Sequence, residues 1–192
     1  MTNAAPLLRA ARKSRGLSQT ELAARARVHQ SRVSRSERDR EAPGFDTVDR
    51  LLAGAGHRLY SAPTRRDDAA TVADAIRRAL RAGDRQRALR ELVQLNDNLV
   101  AEHGLIRGVL ALAEPASVGD RAWDAAIAAL VAWRLGEERL PVPAWVDDPS
   151  RFVARARPLD IDPADPTPSV DDVPPAFAHR GVLVWRDTFE SV

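Results

Sequence analysis

A chain of 192 residues has the length for one large core or two small ones. It contains no cysteine, which excludes disulfides, thiol nucleophiles and cysteine-ligated metal sites and fits a reducing compartment. No run of about 18 apolar residues occurs, and the opening MTNAAPLLRAARKSRG lacks an uninterrupted apolar core, so neither a membrane span nor a signal peptide is expected.

Lys13 is the only lysine among 29 basic residues, a bias typical of a GC-rich genome, and the expected setting is bacterial cytoplasm. The net charge of +2 conceals an asymmetry. Residues 1–66 hold 14 basic against 6 acidic side chains, a balance of +8, whereas residues 67–192 hold 15 against 21, a balance of −6. A compact basic module is the footprint of a phosphate-binding surface, because arginine contacts release counterions condensed on nucleic acid. An anionic protein or membrane surface would attract the same charge.

A first helix is expected over 6–15, with Leu7, Leu8 and Ala11 on its inner face, Arg9, Arg12 and Lys13 on its outer face, and Gly16 ending it. Ser18 and Glu21 form a Ser-x-x-Glu capping box that starts a second helix, with Leu22, Ala23 and Ala26 inward. After a break at 27–29, a third helix over 30–38 buries Val33 and leaves Arg32, Arg35 and Arg38 outside. A fourth is expected from Asp46, whose acidic first turn suits a helix N-terminus, and it buries Val48, Leu51 and Leu52. Gly54 and Gly56 close it, His57 to Ser61 is a short extended candidate, and residues 63–68 read as a linker.

From 69 to 140 the pattern is an α-helical bundle of three or four helices. Val72, Ile76 and Leu80 keep four-residue spacing, Gly83-Asp84 is a stop and restart, and Leu92, Val93 and Leu99 follow. Leu105, Ile106, Val109 and Leu110 make another apolar face, and Trp123, Ile127, Leu130 and Val131 another, with Trp123 and Trp133 expected in the core. Beyond Pro141 the character changes. The stretch 158–175 carries six prolines, five aspartates and no basic residue, and reads as an extended acidic loop. A helical turn from Pro175 and a strand over 182–185 are expected after it.

The segment LSQTELAARARVHQSRVSRSERD resembles the phage-repressor-like (Xre/Cro) helix-turn-helix family. Leu17, Ser18, Gln19, Glu21, Leu22 and Ala23 stand where that family's L-S-Q-x-E-L-A pattern has them, followed by Val28 in the turn and by Val33, Ser34 and Glu37. The likeness covers about Leu7 to Tyr60. It departs at three points: Arg27 replaces the turn glycine, Ser36 a core Ile or Leu, and Asp39 the terminal glycine, while His29 replaces the usual Ser or Thr cap. An arginine in a left-handed position costs about 1 kcal/mol.

The fold so implied is mainly α: an N-terminal repressor-like helix-turn-helix domain of four or five helices (1–62), a linker (63–68), a helical bundle (69–140) and an irregular Pro/Asp-rich region with a short strand (141–192). By resemblance, Gln30, Ser31, Arg32 and Arg35 face base edges in the major groove, and Gln19 and Arg38 touch phosphate. Arginine pairs bidentately with guanine and glutamine with adenine, which fits those residue types, and Arg35 is the expected main specificity contact. Family members commonly bind two half-sites as dimers, so the implied partners are an operator duplex and a second copy of the chain.

The C-terminal patterns Trp145 to Phe152 and Pro175 to Val184 resemble antitoxin-type regulators of the family, implying a cognate toxin of nucleotidyltransferase type. Trp145, Phe152, Phe177 and Trp185, flanking a proline-extended arm, are the expected partner anchors; the alternative is that they pack into the protein's own core. A one-component repressor sensing a small ligand would use convergent polar groups in the bundle, for which Asn96, Asp97, Asn98 and His103 are candidates. An architectural DNA-binding protein is the third reading. No catalytic set is legible: the four histidines are far apart, no HExxH, P-loop or nucleophile elbow occurs, and Asp67-Asp68, Asp147-Asp148 and Asp171-Asp172 read as caps or solvated charges. No cofactor or metal is expected.

Overall fold

The computed structural model describes residues 4–162 and 164–190. Met1 to Asn3, Pro163 of the acidic stretch and the last two residues, all inside segments assigned above, lie outside the described residues.

The chain is mainly α-helical. Four helices, α1 (Ala4–Lys13), α2 (Gln19–Ala26), α3 (Gln30–Glu37) and α4 (Phe45–Gly54), surround a small core of Leu8, Ala11, Leu22, Ala23, Ala26, Val33, Val48, Leu51, Leu52 and Ala55. Helix α1 starts two residues before Pro6, which is tolerated because a first-turn residue needs no intrahelical N–H. Gly16 follows with φ +64, the left-handed terminus its sequence position implies. The capping box is present: Ser18 accepts from the Glu21 amide at 3.1 Å, and Glu21 accepts from the Ser18 amide at 2.7 Å. The bond from the Ser18 backbone, then that with its hydroxyl, holds the Glu21 carboxyl below its ordinary range. Helix α4 begins at Phe45 behind Gly44, so Asp46 sits inside the first turn and not at the cap. His57 to Ser61 is irregular and forms no strand.

Helices α5 (Ala69–Arg81), α6 (Arg85–Ala101), α7 (Gly104–Leu112) and α8 (Arg121–Glu137) make the second and larger core. Asp68, Asp84 and Asp120 cap α5, α6 and α8 through their side chains. Burial pushes the Asp68 carboxyl up, with its Thr71 hydrogen bonds opposing. Helix α8 is apolar nearly all round and runs through the centre, with Trp123, Ile127 and Leu130 fully buried, as an unstriped helix must be. Trp133 is partly buried against the same core.

The C-terminal region is largely irregular over 158–175, as expected, but its apolar flanks pack into the protein's own core. Trp145, Val146, Leu159, Val173, Phe177, Val182, Val184 and Phe189 belong to the same core as α5 to α8. A short helix α9 (Pro175–His179) packs on α8, and two short strands, β1 (Arg157–Pro158) and β2 (Val182–Leu183), pair in parallel, Arg157 opposite Val182 and Pro158 opposite Leu183. The strand expected over 182–185 is therefore two residues long, and its partner lies at the edge of the Pro/Asp-rich stretch. Gly181 precedes β2 at φ +71, where a Cβ would lie 2.5 Å from the Val153 carbonyl oxygen, so backbone conformation and space both require glycine. No described helix is long and apolar enough to cross a membrane.

Both non-glycine residues that replace family glycines carry the left-handed backbone: Arg27 at φ +53 and Asp39 at φ +58. Ser36 is 1% exposed, and its hydroxyl has no hydrogen-bond partner among the described residues. An unpaired buried hydroxyl costs about 1–3 kcal/mol. Ser36→Ala is therefore expected to stabilise the helix-turn-helix by about 1 kcal/mol, read as a raised urea midpoint with an unchanged slope; a lowered midpoint would mean that the hydroxyl is satisfied.

Candidate nucleic-acid interface

The candidate interface is assembled from the N-terminus of α2 and the outer face of α3. Val33, Ser36 and Glu37 turn inward, which leaves Gln30, Ser31, Arg32, Arg35 and Arg38 exposed. Ser31, Arg35 and Arg38, spaced i, i+4 and i+7, share one face of the helix. His29 precedes α3 as an extended cap residue without a side-chain cap bond, so amides of the α3 first turn lack that partner.

Glu37 ties the site together. It is 2% exposed, and its carboxylate accepts from Arg12 Nε at 2.6 Å, Arg12 Nη2 at 2.8 Å and Gln19 Nε2 at 2.9 Å. Arg12 also donates to the Leu17 carbonyl at 2.7 Å, and Arg9 donates through Nη2 to the Glu37 carbonyl. Gln19 Oε1 accepts from Gln30 Nε2 at 3.0 Å. The start of α2 is thus hydrogen-bonded to both ends of α3 through one amide side chain. A fork-to-carboxylate pair shielded from water fixes orientation as well as distance.

These bonds correct the assignment of Arg9 and Arg12 to an outer face: their side chains are 14% and 13% exposed and reach across the core to α3 and beyond. The Arg12–Glu37 pair spans 25 positions, beyond any local pattern, and only the joint presence of Glu37 in the family motif and a half-buried arginine on α1 would have signalled it.

Of the residues assigned to DNA, Gln19 and Gln30 are brought together, Arg32 and Arg38 have no ion pair among the described residues, and Arg35 donates to Glu41 at 2.9 Å. The Arg35–Glu41 pair is exposed, 54% and 39%, so solvent leaves it worth little and the guanidinium can exchange Glu41 for another acceptor. Sequence reasoning did not single out Glu41, which lies after α3 in the loop.

The four aromatics assigned to a partner divide. Phe177 is fully buried, stacked on Phe189 with centroids 5.1 Å apart and edge-on to Trp133. Trp145 is 7% exposed and donates its indole N–H to the Ala111 carbonyl at 3.1 Å. Packing inside the protein withdraws both from the anchoring role expected of them, because their apolar surface is already covered. Phe152 is half-buried between His179 and Arg180, and Trp185 remains 36% exposed.

Of the polar residues considered for ligand sensing, the neighbours Asn96 and Asp97 bond to each other, at 3.2 Å. Asn96 is buried, accepting from Arg134 Nε and donating to the Phe189 carbonyl; Asn98 donates to the Asp67 carbonyl; His103 pairs with Glu138 at 2.6 Å on the surface. The paired aspartates serve structure: Asp148 accepts from the Ser150 amide, Asp147 from Arg180 and Asp172 from Ser169. No group of three or more metal-ligating side chains occurs among the described residues.

Residues 8–55 match the helix-turn-helix family model, a segment that contains every residue assigned to DNA. No curated protein and no solved structure is similar enough to match the chain.

Proposed function

We propose, on the premise that residues 8–55 form a helix-turn-helix, that the protein is a sequence-specific DNA-binding repressor of transcription. The observation that carries this reading is the arrangement of Gln19, Gln30 and Glu37: a part-buried bond to Glu37 and an exposed one to Gln30 tie the start of α2 to the recognition helix, while Gln30, Ser31, Arg32 and Arg35 face solvent. In the proposed complex α3 lies in the major groove, where Arg35 leaves Glu41 for guanine O6 and N7 and Gln30 meets adenine N6 and N7. Gln19 and Arg38 meet phosphate on either side. One such unit contacts a short half-site, so the protein works as a homodimer on two half-sites about 34 Å apart.

Arg35→Ala is expected to cut discrimination at one base pair by about 1–3 kcal/mol, whereas Arg38→Ala weakens every sequence alike and lowers the salt slope by about 1. Fluorescence anisotropy on a selected operator and its single-base variants checks both. An equal loss at every position for Arg35→Ala would remove it from base contact.

Within this reading we assign the chain an antitoxin role, neutralising a nucleotidyltransferase-like toxin and repressing their shared operon. Its support is the resemblance of Trp145 to Phe152 and Pro175 to Val184, and the aromatics left for a partner are Phe152 and Trp185. Co-expression with flanking genes tests it: a stoichiometric partner that is toxic alone supports the role, and a lone dimer opposes it.

A further inference from the structure

The helix-turn-helix is gripped from outside its own segment. Asp74, on α5 and beyond the matched residues 8–55, is 7% exposed, accepts from Arg9 Nη1 at 3.1 Å and is ion-paired with Arg77 Nη2 at 2.5 Å. The other amino group of the same Arg9 guanidinium donates to the carbonyl of Glu37, in the last turn of α3. One planar fork therefore spans from a carboxylate of the helical bundle to the C-terminal end of the recognition helix. From the Glu37 carbonyl the path passes through the residue itself to its carboxylate, which accepts from Gln19, and Gln19 in turn accepts from Gln30 at the DNA-facing start of α3.

Three features make this more than a surface ion pair. The side chains of Arg9, Asp74 and Arg77 are 14%, 10% and 18% exposed, so water screens them little. The last carbonyls of a helix have no intrahelical donor, and a cation placed there is favoured by the helix dipole. Arg9 and Arg77 also repel one another: burial pushes the Arg77 guanidinium below its ordinary value, Asp74 counters this, and Arg9 adds to it. Removing the Asp74 charge from between them leaves that repulsion unopposed at the arginine that holds the Glu37 carbonyl.

We infer that Asp74 is a positioning residue for DNA recognition, acting through Arg9 to fix the attitude of α3, so that the bundle sets the affinity of the helix-turn-helix. This rests on the DNA-binding function proposed above. It also gives the bundle a means of control, because any partner that shifts α5 moves the carboxylate that Arg9 holds.

A double-mutant cycle on the full chain tests the inference, using a duplex selected from random sequence by the wild-type protein and a scrambled duplex of the same composition. Arg9→Met, Asp74→Asn and the double variant are each expected to bind the selected duplex about tenfold more weakly, with no multiplication in the double, because all three break the same contact. Binding to the scrambled duplex is expected to be unchanged, as the phosphate-facing charges remain, and Arg77→Met is expected to retain wild-type affinity. Should Asp74→Asn lose its helical circular dichroism, Arg9→Met against Arg77→Met carries the comparison. A selected-duplex affinity for Asp74→Asn within about twofold of wild type, losses that multiply to about a hundredfold, or equal loss on both duplexes would overturn it. A wild-type chain that prefers neither duplex overturns the DNA-binding reading first, before any variant is compared, and this inference with it.

Discussion

Replacing Glu37 with alanine is expected to destabilise the N-terminal unit by about 3–5 kcal/mol and to abolish its DNA binding, because it strands Arg12 in the core without a counter-charge. The Arg12 side chain is 13% exposed and that of Glu37 only 3%, so neither the pair nor its remnant can be handed to water. Gln19 loses its acceptor in the same change, and Gln30 then bonds to an unanchored amide. Against total stabilities of about 5–15 kcal/mol for a domain, that loss leaves little. Glu37→Gln keeps one acceptor oxygen and is expected to fall between wild type and alanine. Urea unfolding followed by circular dichroism reads the result in the transition of the smaller core. A loss below about 1 kcal/mol would place the pair among exposed ion pairs and contradict its role as the tie between α1, α2 and α3.

Phe177→Ala is the second large effect. The ring is fully buried, stacked on Phe189 with an interplanar angle of 29° and edge-on to Trp133 at 6.3 Å, so its removal opens a cavity in the larger core. The expected cost is about 3–5 kcal/mol, appearing in the unfolding of the larger core. Trp185→Ala, at a side chain 36% exposed, is expected to change stability by about 0.5 kcal/mol or less. Equal small losses for both would return the C-terminal region to the status of a detachable arm.

The contrast between these two sites shows what was legible beforehand. The helix-turn-helix announces itself locally: a capping box between Ser18 and Glu21, a helix-ending Gly16, and an apolar stripe of Leu22, Ala23, Ala26 and Val33 are short-range signals that survive folding unchanged. Even its departures were readable, since Arg27 and Asp39 take the left-handed backbone of the glycines they replace. The tie through Arg12 and Glu37 was not, because a charge pair 25 positions apart has no periodicity and each partner by itself looks solvated. The relay through Arg9 and Asp74 is hidden for the same reason, at a separation of 65.

Composition identified the irregular, largely exposed stretch over 158–175 but left open where its flanks go. Prolines and aspartates over 158–175 describe a backbone that makes few internal hydrogen bonds, and they say nothing about whether the flanking apolar residues are covered. Here Leu159, Val173 and Phe177 are covered, by α8 and the elements around it. Helix α8 accepts them because it has no polar stripe and needs neighbours on every side. Strand β1 was equally hidden: two residues, one of them a proline, pair with β2 only because the fold brings Gly181 close to Val153.

Selection from random duplexes, followed by binding of wild type and Arg35→Ala across a range of salt, tests whether this chain reads DNA sequence through α3. The expected result is a two-fold symmetric preferred sequence with half-sites about 34 Å apart, bound by a dimer, and a loss of discrimination by about 1–3 kcal/mol at one base pair per half-site in the variant. Recovery of no common sequence, with weak binding that depends on salt alone and is the same for both proteins, would contradict it.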